Sequence, residues 1–203
     1  MDSVLHKKAL LLSYFTVGYN ILEGIASIFA GVLAGSIALI GFGLDSFVES
    51  LSGSVMIWRF SKYGQMSQEE EERAEAKALK LIAYTFFILG AYVLYESIKK
   101  LYFQEMPEPS LLGIIIAIAS LIVMPVLFSM KYQTGKTINS RSLVADSKQT
   151  LACMFLSFAL LIGLGLNYLY GFWQADPIVG LVTVIFLLRE GYHTLKQERL
   201  CSC

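Results

Sequence analysis

Histidine is almost absent from this chain. Only His6 and His193 occur in 203 residues, both near expected helix ends. No histidine cluster is available to build a metal or acid–base centre in a buried site. Cysteine is nearly as rare, and Cys153, Cys201 and Cys203 make no disulfide framework. Charged residues amount to 16%, and the 16 basic and 16 acidic side chains cancel. No basic face is offered to a nucleic acid. Also missing are a phosphate-binding glycine loop, a nucleophilic serine motif and an HExxH helix, so the chain is read as not an enzyme. No cleavable signal peptide is evident. The first apolar run, after His6, Lys7 and Lys8, is too long for a signal core and lacks a cleavage site, so it reads as a helix that stays in the membrane.

What is present is apolar. Hydrophobic residues make up 56% of the chain and the mean hydropathy is +0.61, beyond the range of a soluble domain. A helix needs about 20 mostly apolar residues to cross a bilayer. Six such runs occur: Ala9–Ala34, Ser36–Phe60, Ala78–Tyr102, Leu111–Lys131, Ser142–Tyr170 and Pro177–Leu195. The expected fold is an all-α integral membrane bundle, a single transmembrane domain over 1–203. The tail after Leu195 is too short to fold alone. A few residues around Gly35 join the first two helices into a tight hairpin. Gly24, Gly31, Gly35, Ser50, Gly53 and Ser54 are small residues that let helix backbones approach. Packing within the chain is the simpler use for them than a dimer seam.

The loops carry an orientation signal. Lys7, Lys8, Arg59, Lys62, Arg73, Lys77, Lys80, Lys131, Lys136, Arg141, Arg189, Lys196 and Arg199 fall on one side, and only Lys99 and Lys100 on the other. The positive-inside rule puts both termini in the cytoplasm. Tyr170, Phe172 and Trp173 form an aromatic group suited to the opposite interface. The run Glu69–Glu72 reads as a solvated helical extension pairing with Arg73, Lys77 and Lys80.

Acids deep in membrane helices are costly and point to function. Asp45 and Glu49 are four apart, hence on one helix face. Asp45 lies about 13 Å along the second helix from Ser36, and Glu49 about 15 Å before Arg59. Two such carboxylates do not both stay ionised without a cation or proton between them, and together they form a hard half-site for a divalent metal. The alternative is a protonated pair hydrogen-bonded to neighbouring helices. On the fifth helix Gln149 and Cys153 are also four apart. They lie about 12 and about 18 Å from the inner surface, level with Glu49 and Asp45. Taken singly, they read as an interhelical hydrogen bonder and a small core residue. Asp146 lies nearer the cytoplasmic mouth and reads either as part of an ion or proton path or as a local hydrogen-bonding group. Lys148 can snorkel to the surface. Glu23, with Asn20 one turn away, is deep enough to adjust the site, whereas Glu96 reads as a near-surface partner of Lys99 and Lys100. The tail Cys201-Ser202-Cys203 offers soft-metal capture or lipidation, or is simply an unstructured reduced tail.

Three stretches then carry a resemblance. The stretch Gly35-Ser36-Ile37-Ala38-Leu39 followed by Asp45 and Glu49 resembles the second helix of the cation diffusion facilitator, or cation efflux, family. Asn139-Ser140-Arg141-Ser142-Leu143-Val144-Ala145-Asp146 is similar to the approach to its fifth helix. Ala175-Asp176-Pro177-Ile178-Val179-Gly180, then Leu188-Arg189-Glu190-Gly191, resembles its sixth. The resemblance implies a homodimeric transporter that moves divalent cations out of the cytoplasm, often against protons, with the metal between helices two and five. Carried over by position, the metal ligands are Asp45, Glu49, Gln149 and Cys153. The family's fifth-helix pair is His and Asp, so Gln149 and Cys153 are a departure toward weaker and softer ligands. A second departure is the expected lack of the cytoplasmic C-terminal domain, which makes the chain similar to the small vesicular zinc transporters. No prosthetic group is expected. Zinc leads as the transported ion, followed by manganese or iron. A bacterial inner membrane is the expected location. The other reading is a non-transporting membrane subunit or metal-responsive regulator that keeps the transporter fold.

Overall fold

The computed structural model describes residues 2–61, 67–138 and 140–201. Lys62, Asn139 and Cys203 lie outside these ranges. The side chains of Lys77, Arg141, Arg199 and Cys201 lie outside the described residues too. Six helices follow in order: α1 (Asp2–Ala34), α2 (Ile37–Ser61), α3 (Gln68–Phe103), α4 (Leu111–Thr137), α5 (Arg141–Tyr170) and α6 (Ala175–Cys201). Each apolar run is therefore helical, and four of the helices run well past it. The extension of α3 begins with a capping box, in which the Ser67 side chain accepts from the Glu70 N–H and Glu70 accepts from the Ser67 N–H. On that extension Arg73 meets Glu69 at 4.0 Å, both well exposed, as the charge pattern predicts.

Among the described residues, four helices are long and apolar enough on their own to cross a membrane: α1, α4, α5 and α6. α2 falls short for a reason visible in its packing. It touches α1, α3, α5 and α6, so protein rather than lipid covers most of its faces. Of its large apolar side chains only Leu51 is exposed among the described residues. A helix enclosed by protein needs no continuous apolar surface, and α2 uses that freedom for Asp45, Glu49 and a series of serines. By contrast, α1, α4 and α5 present Leu11, Phe15, Leu22, Phe29, Ile115, Ile122, Phe155 and Ile162 outward.

The helices pair as α1 with α2, α4 with α5, and α3 with α6. Two hairpins of chain neighbours are thus joined by one pair distant in sequence. The first hairpin turns at Gly35, whose φ of +62° suits glycine, and Ser36 caps α2 by accepting from the Leu39 N–H at 3.1 Å. Below the turn α1 and α2 cross closely. A Cβ on Gly24 would stand 2.9 Å from the Gly43 carbonyl, and one on Gly43 would stand 2.9 Å from the Gly24 carbonyl. Gly53 admits Val17 in the same way at 2.8 Å. The small residues therefore serve packing within the chain. A core of Phe42, Met124, Leu127, Leu156, Leu160 and Leu164 binds this hairpin to α4 and α5.

Candidate metal site between α2 and α5

The close crossing at Gly43 fixes the height and rotation of α2 two residues before Asp45. Asp45 and Glu49 are both buried. Cys153 is buried on α5, a helix that packs against α2. Asp45 and Gln149 line one small cavity, together with Glu190 of α6. One member of each i,i+4 pair, Asp45 and Gln149, is thus brought to one place. Glu49 Oε2, Gln149 Nε2 and both amide atoms of Asn20 are buried without a protein hydrogen-bond partner. Such groups are costly in a core; Glu49 Oε2 and Asn20 Oδ1 are open acceptors able to coordinate a cation, whereas the two amide nitrogens are donors only. Among the described residues no three His, Cys, Asp or Glu side chains stand close enough to enclose an ion in this conformation.

Glu23 is tied to the same region from α1. Tyr19 Oη donates to its Oε1 at 3.0 Å, and Ser46 Oγ, next to Asp45, donates to its Oε2 at 2.9 Å. Asp146 is buried rather than open to the cytoplasm, and Ser52 Oγ of α2 donates to its Oδ1 at 3.0 Å. Lys148 is exposed, as expected of a snorkelling side chain.

One expectation is overturned. By sequence, Lys131 is the charged end of the fourth apolar run and belongs with the cytoplasmic basic residues. In the structure it is fully buried, with 0% of its side chain exposed. α4 continues to Thr137, which leaves Lys131 about 9 Å short of the helix end. Its Nζ lies 2.8 Å from Asp146 Oδ2 and 3.7 Å from Glu49 Oε1. Nζ also donates to Thr150 Oγ1 at 3.0 Å, and Thr150 in turn donates to Glu49 Oε1 at 2.5 Å. A cation from α4 therefore stands between the acid of α2 and the acid of α5. The sequence carries a weak trace of this: Asp146 and Thr150 are i,i+4 neighbours one position off the Gln149–Cys153 face. Nothing local marks Lys131, because a lysine near a helix end has the same sequence signature whether it snorkels or turns inward.

At the other end of the bundle a second polar group ties three hairpin ends together. Asp176 at the start of α6 accepts from Ser36 Oγ and, at 3.0 Å, from the Ile37 N–H. Lys100 of α3 donates to the Gly35 carbonyl and stands 4.0 Å from Asp176. Glu96 pairs with Lys99 at 3.4 Å as expected, but Lys100 is committed to this group instead.

Comparison with known proteins agrees with this architecture. The family model of the cation efflux transmembrane domain matches residues 13–200. Transmembrane protein 163 of Xenopus laevis is 25% identical over 93% of this chain and 66% of its own length. The cadmium, cobalt and zinc/H(+)-K(+) antiporter of Bacillus velezensis is 26% identical over 95% of this chain and 62% of its own. The cation-efflux pump FieF of Shewanella oneidensis is 23% identical over 80% of this chain and 56% of its own. The chain spans about two thirds of the length of the first two and just over half of the third. These relatives come from a frog and from bacteria, so the likeness indicates a multi-pass membrane protein without selecting which membrane. With all six helices inside or overlapping the matched region, the chain belongs to the cation efflux transmembrane domain family.

Proposed function

We propose that this chain carries a divalent transition-metal cation, zinc first and manganese or iron next, out of the cytoplasm through a site between α2 and α5. The observation that carries this reading is the buried carboxylate pair Asp45 and Glu49 of α2, with Asp45 sharing a small cavity with Gln149 of α5. Intramembrane acids that face a bundle interior mark ion pathways, and two carboxylates with a thiol and an amide form a mixed donor set for a borderline metal. Asp45 and Glu49 supply the charge. Cys153 and Gln149 complete the shell on the α5 side. Glu23, held by Tyr19 and Ser46, adds negative potential behind Asp45, and Asn20 offers an amide nearby in sequence. The names of relatives that act on cadmium, cobalt and zinc support the class of substrate.

The ion reaches the site from the cytoplasmic side past Asp146, and movement of α3 with α6 against the other four helices opens it outward. Protons that compete for the same carboxylates couple the exchange. Both termini lie in the cytoplasm, the working unit is a homodimer, and the membrane is a bacterial inner membrane. Flux of zinc, manganese and iron into proteoliposomes, followed with metal- and pH-sensitive dyes, tests the proposal. The Asp45→Ala, Glu49→Ala double variant abolishes flux if the site is correct, and unchanged flux would rule the site out. A second reading, a metal-responsive regulator without transport, draws on Lys131 filling the space between Glu49 and Asp146. It predicts metal binding in detergent but no flux in pure liposomes.

A further inference from the structure

The metal site contains a cation of its own. Lys131 comes from α4, a helix that supplies none of the proposed ligands, yet it is the one ammonium drawn to a site acid among the described ion pairs. Its two contacts are unequal. At 2.8 Å it is engaged with Asp146, and at 3.7 Å it reaches Glu49 Oε1, with Thr150 linking the ammonium to Glu49 from the side. Asp146 balances Lys131 charge for charge. Asp45 and Glu49 remain as the α2 acids for a divalent ion. A burial this complete is untenable for an ammonium without a carboxylate, and Asp146 provides one that does not depend on Glu49.

We propose that Lys131 is a tethered counter-cation that competes with the transported ion for Glu49. Without a divalent ion the ammonium sits on Asp146 and at the same time reaches Glu49 Oε1, directly at 3.7 Å and through Thr150, which holds that carboxylate in place. When a divalent ion binds, the ammonium gives up Glu49, keeps Asp146 alone, and Glu49 turns to the metal. When the ion has to leave, the return of the ammonium to Glu49 weakens its hold. Lys131 is thus a positioning residue that lowers affinity and hastens release. The inference rests on the proposed α2–α5 site.

The test uses the purified full chain in detergent, titrated calorimetrically with Zn2+ and Cd2+ at mildly alkaline pH, and the same protein in proteoliposomes. Lys131→Met is expected to bind both ions more tightly, by about tenfold, equivalent to about 1.4 kcal/mol, while kcat and KM for transport fall together. Lys131→Arg, which keeps the charge, stays close to the parent protein in both measurements. A purely structural lysine would give a weaker-binding Lys131→Met variant with raised KM, and equal or weaker binding in that variant overturns the proposal. If Lys131→Met does not fold, the neutral pair Lys131→Met with Asp146→Asn takes its place: tighter binding there supports the competition, and equal or weaker binding overturns it. Metal binding by the parent that Asp45→Asn with Glu49→Gln leaves intact would overturn the site itself, and this inference with it. Loss of binding in that double variant, with no gain in Lys131→Met, overturns the competition alone.

Discussion

Replacing Lys131 by methionine is expected to destabilise the fold by about 3–5 kcal/mol, the cost of breaking a buried ion pair from one side. The separations set the scale. At an effective dielectric constant near 20, charges 2.8 and 3.7 Å apart attract by about 6 and about 4.5 kcal/mol respectively. Most of that gross attraction is cancelled by the cost of taking the ammonium and two carboxylates out of water, so the intact cluster contributes little net stability. Its removal is not neutral, because Glu49 and Asp146, each with only 1% of its side chain exposed, are left as unmatched acids. Methionine fills much of the lysine stem's volume, so lost packing is a minor part. The decisive measurement is a double-mutant cycle by thermal unfolding in detergent, with Lys131→Met, Asp146→Asn and both together. The double variant should be more stable than the sum of the single losses allows, by at least about 1 kcal/mol, because the second change removes a charge that the first left stranded. A Lys131→Met variant within about 1 kcal/mol of the parent, or strict additivity, would refute the reasoning and place the lysine in water.

Two further outcomes follow from the packing. Asp176→Ala removes the acceptor for Ser36 Oγ and the Ile37 N–H and strands Lys100, so thermal unfolding should show a loss of about 3 kcal/mol; Asp176→Asn, which keeps an acceptor oxygen for Ile37, should lose clearly less. Gly24→Ala and Gly43→Ala each drive a methyl group to 2.9 Å from a backbone carbonyl across the α1–α2 crossing, at a cost of about 1–3 kcal/mol. The pair together should cost less than the sum, because one separation of the helices relieves both, and Zn2+ titration of either variant should show weaker binding as Asp45 is displaced.

Much of this protein is legible without coordinates because the membrane imposes local rules. Runs of apolar residues, the turn at Gly35 and the scarcity of charge suffice to locate six helices. The i,i+4 spacing of Asp45 and Glu49, and their depth relative to Gln149 and Cys153, follow from helical rise alone. The boundaries that differ are those where a helix leaves the bilayer: α3 starts at Gln68 and α4 ends at Thr137, because hydrogen-bonded helix needs no apolar side chains once it reaches water. That same difference hid Lys131. A helix taken to stop at its first lysine puts that lysine at the surface, and hydropathy is blind to the direction in which a side chain points.

The chain's sequence by itself determined the helices and the shared face of Asp45 and Glu49 in the second of them, since each depends on residues a few positions apart. Only the tertiary structure decided that α2 is enclosed by protein, that Lys100 and Asp176 bind the hairpin ends together, and that Lys131 stands between Glu49 and Asp146. These depend on how helices distant in sequence cross. A buried ammonium is tolerable only where two other helices bring carboxylates to it, and that condition belongs to the packing, not to any one segment of the chain.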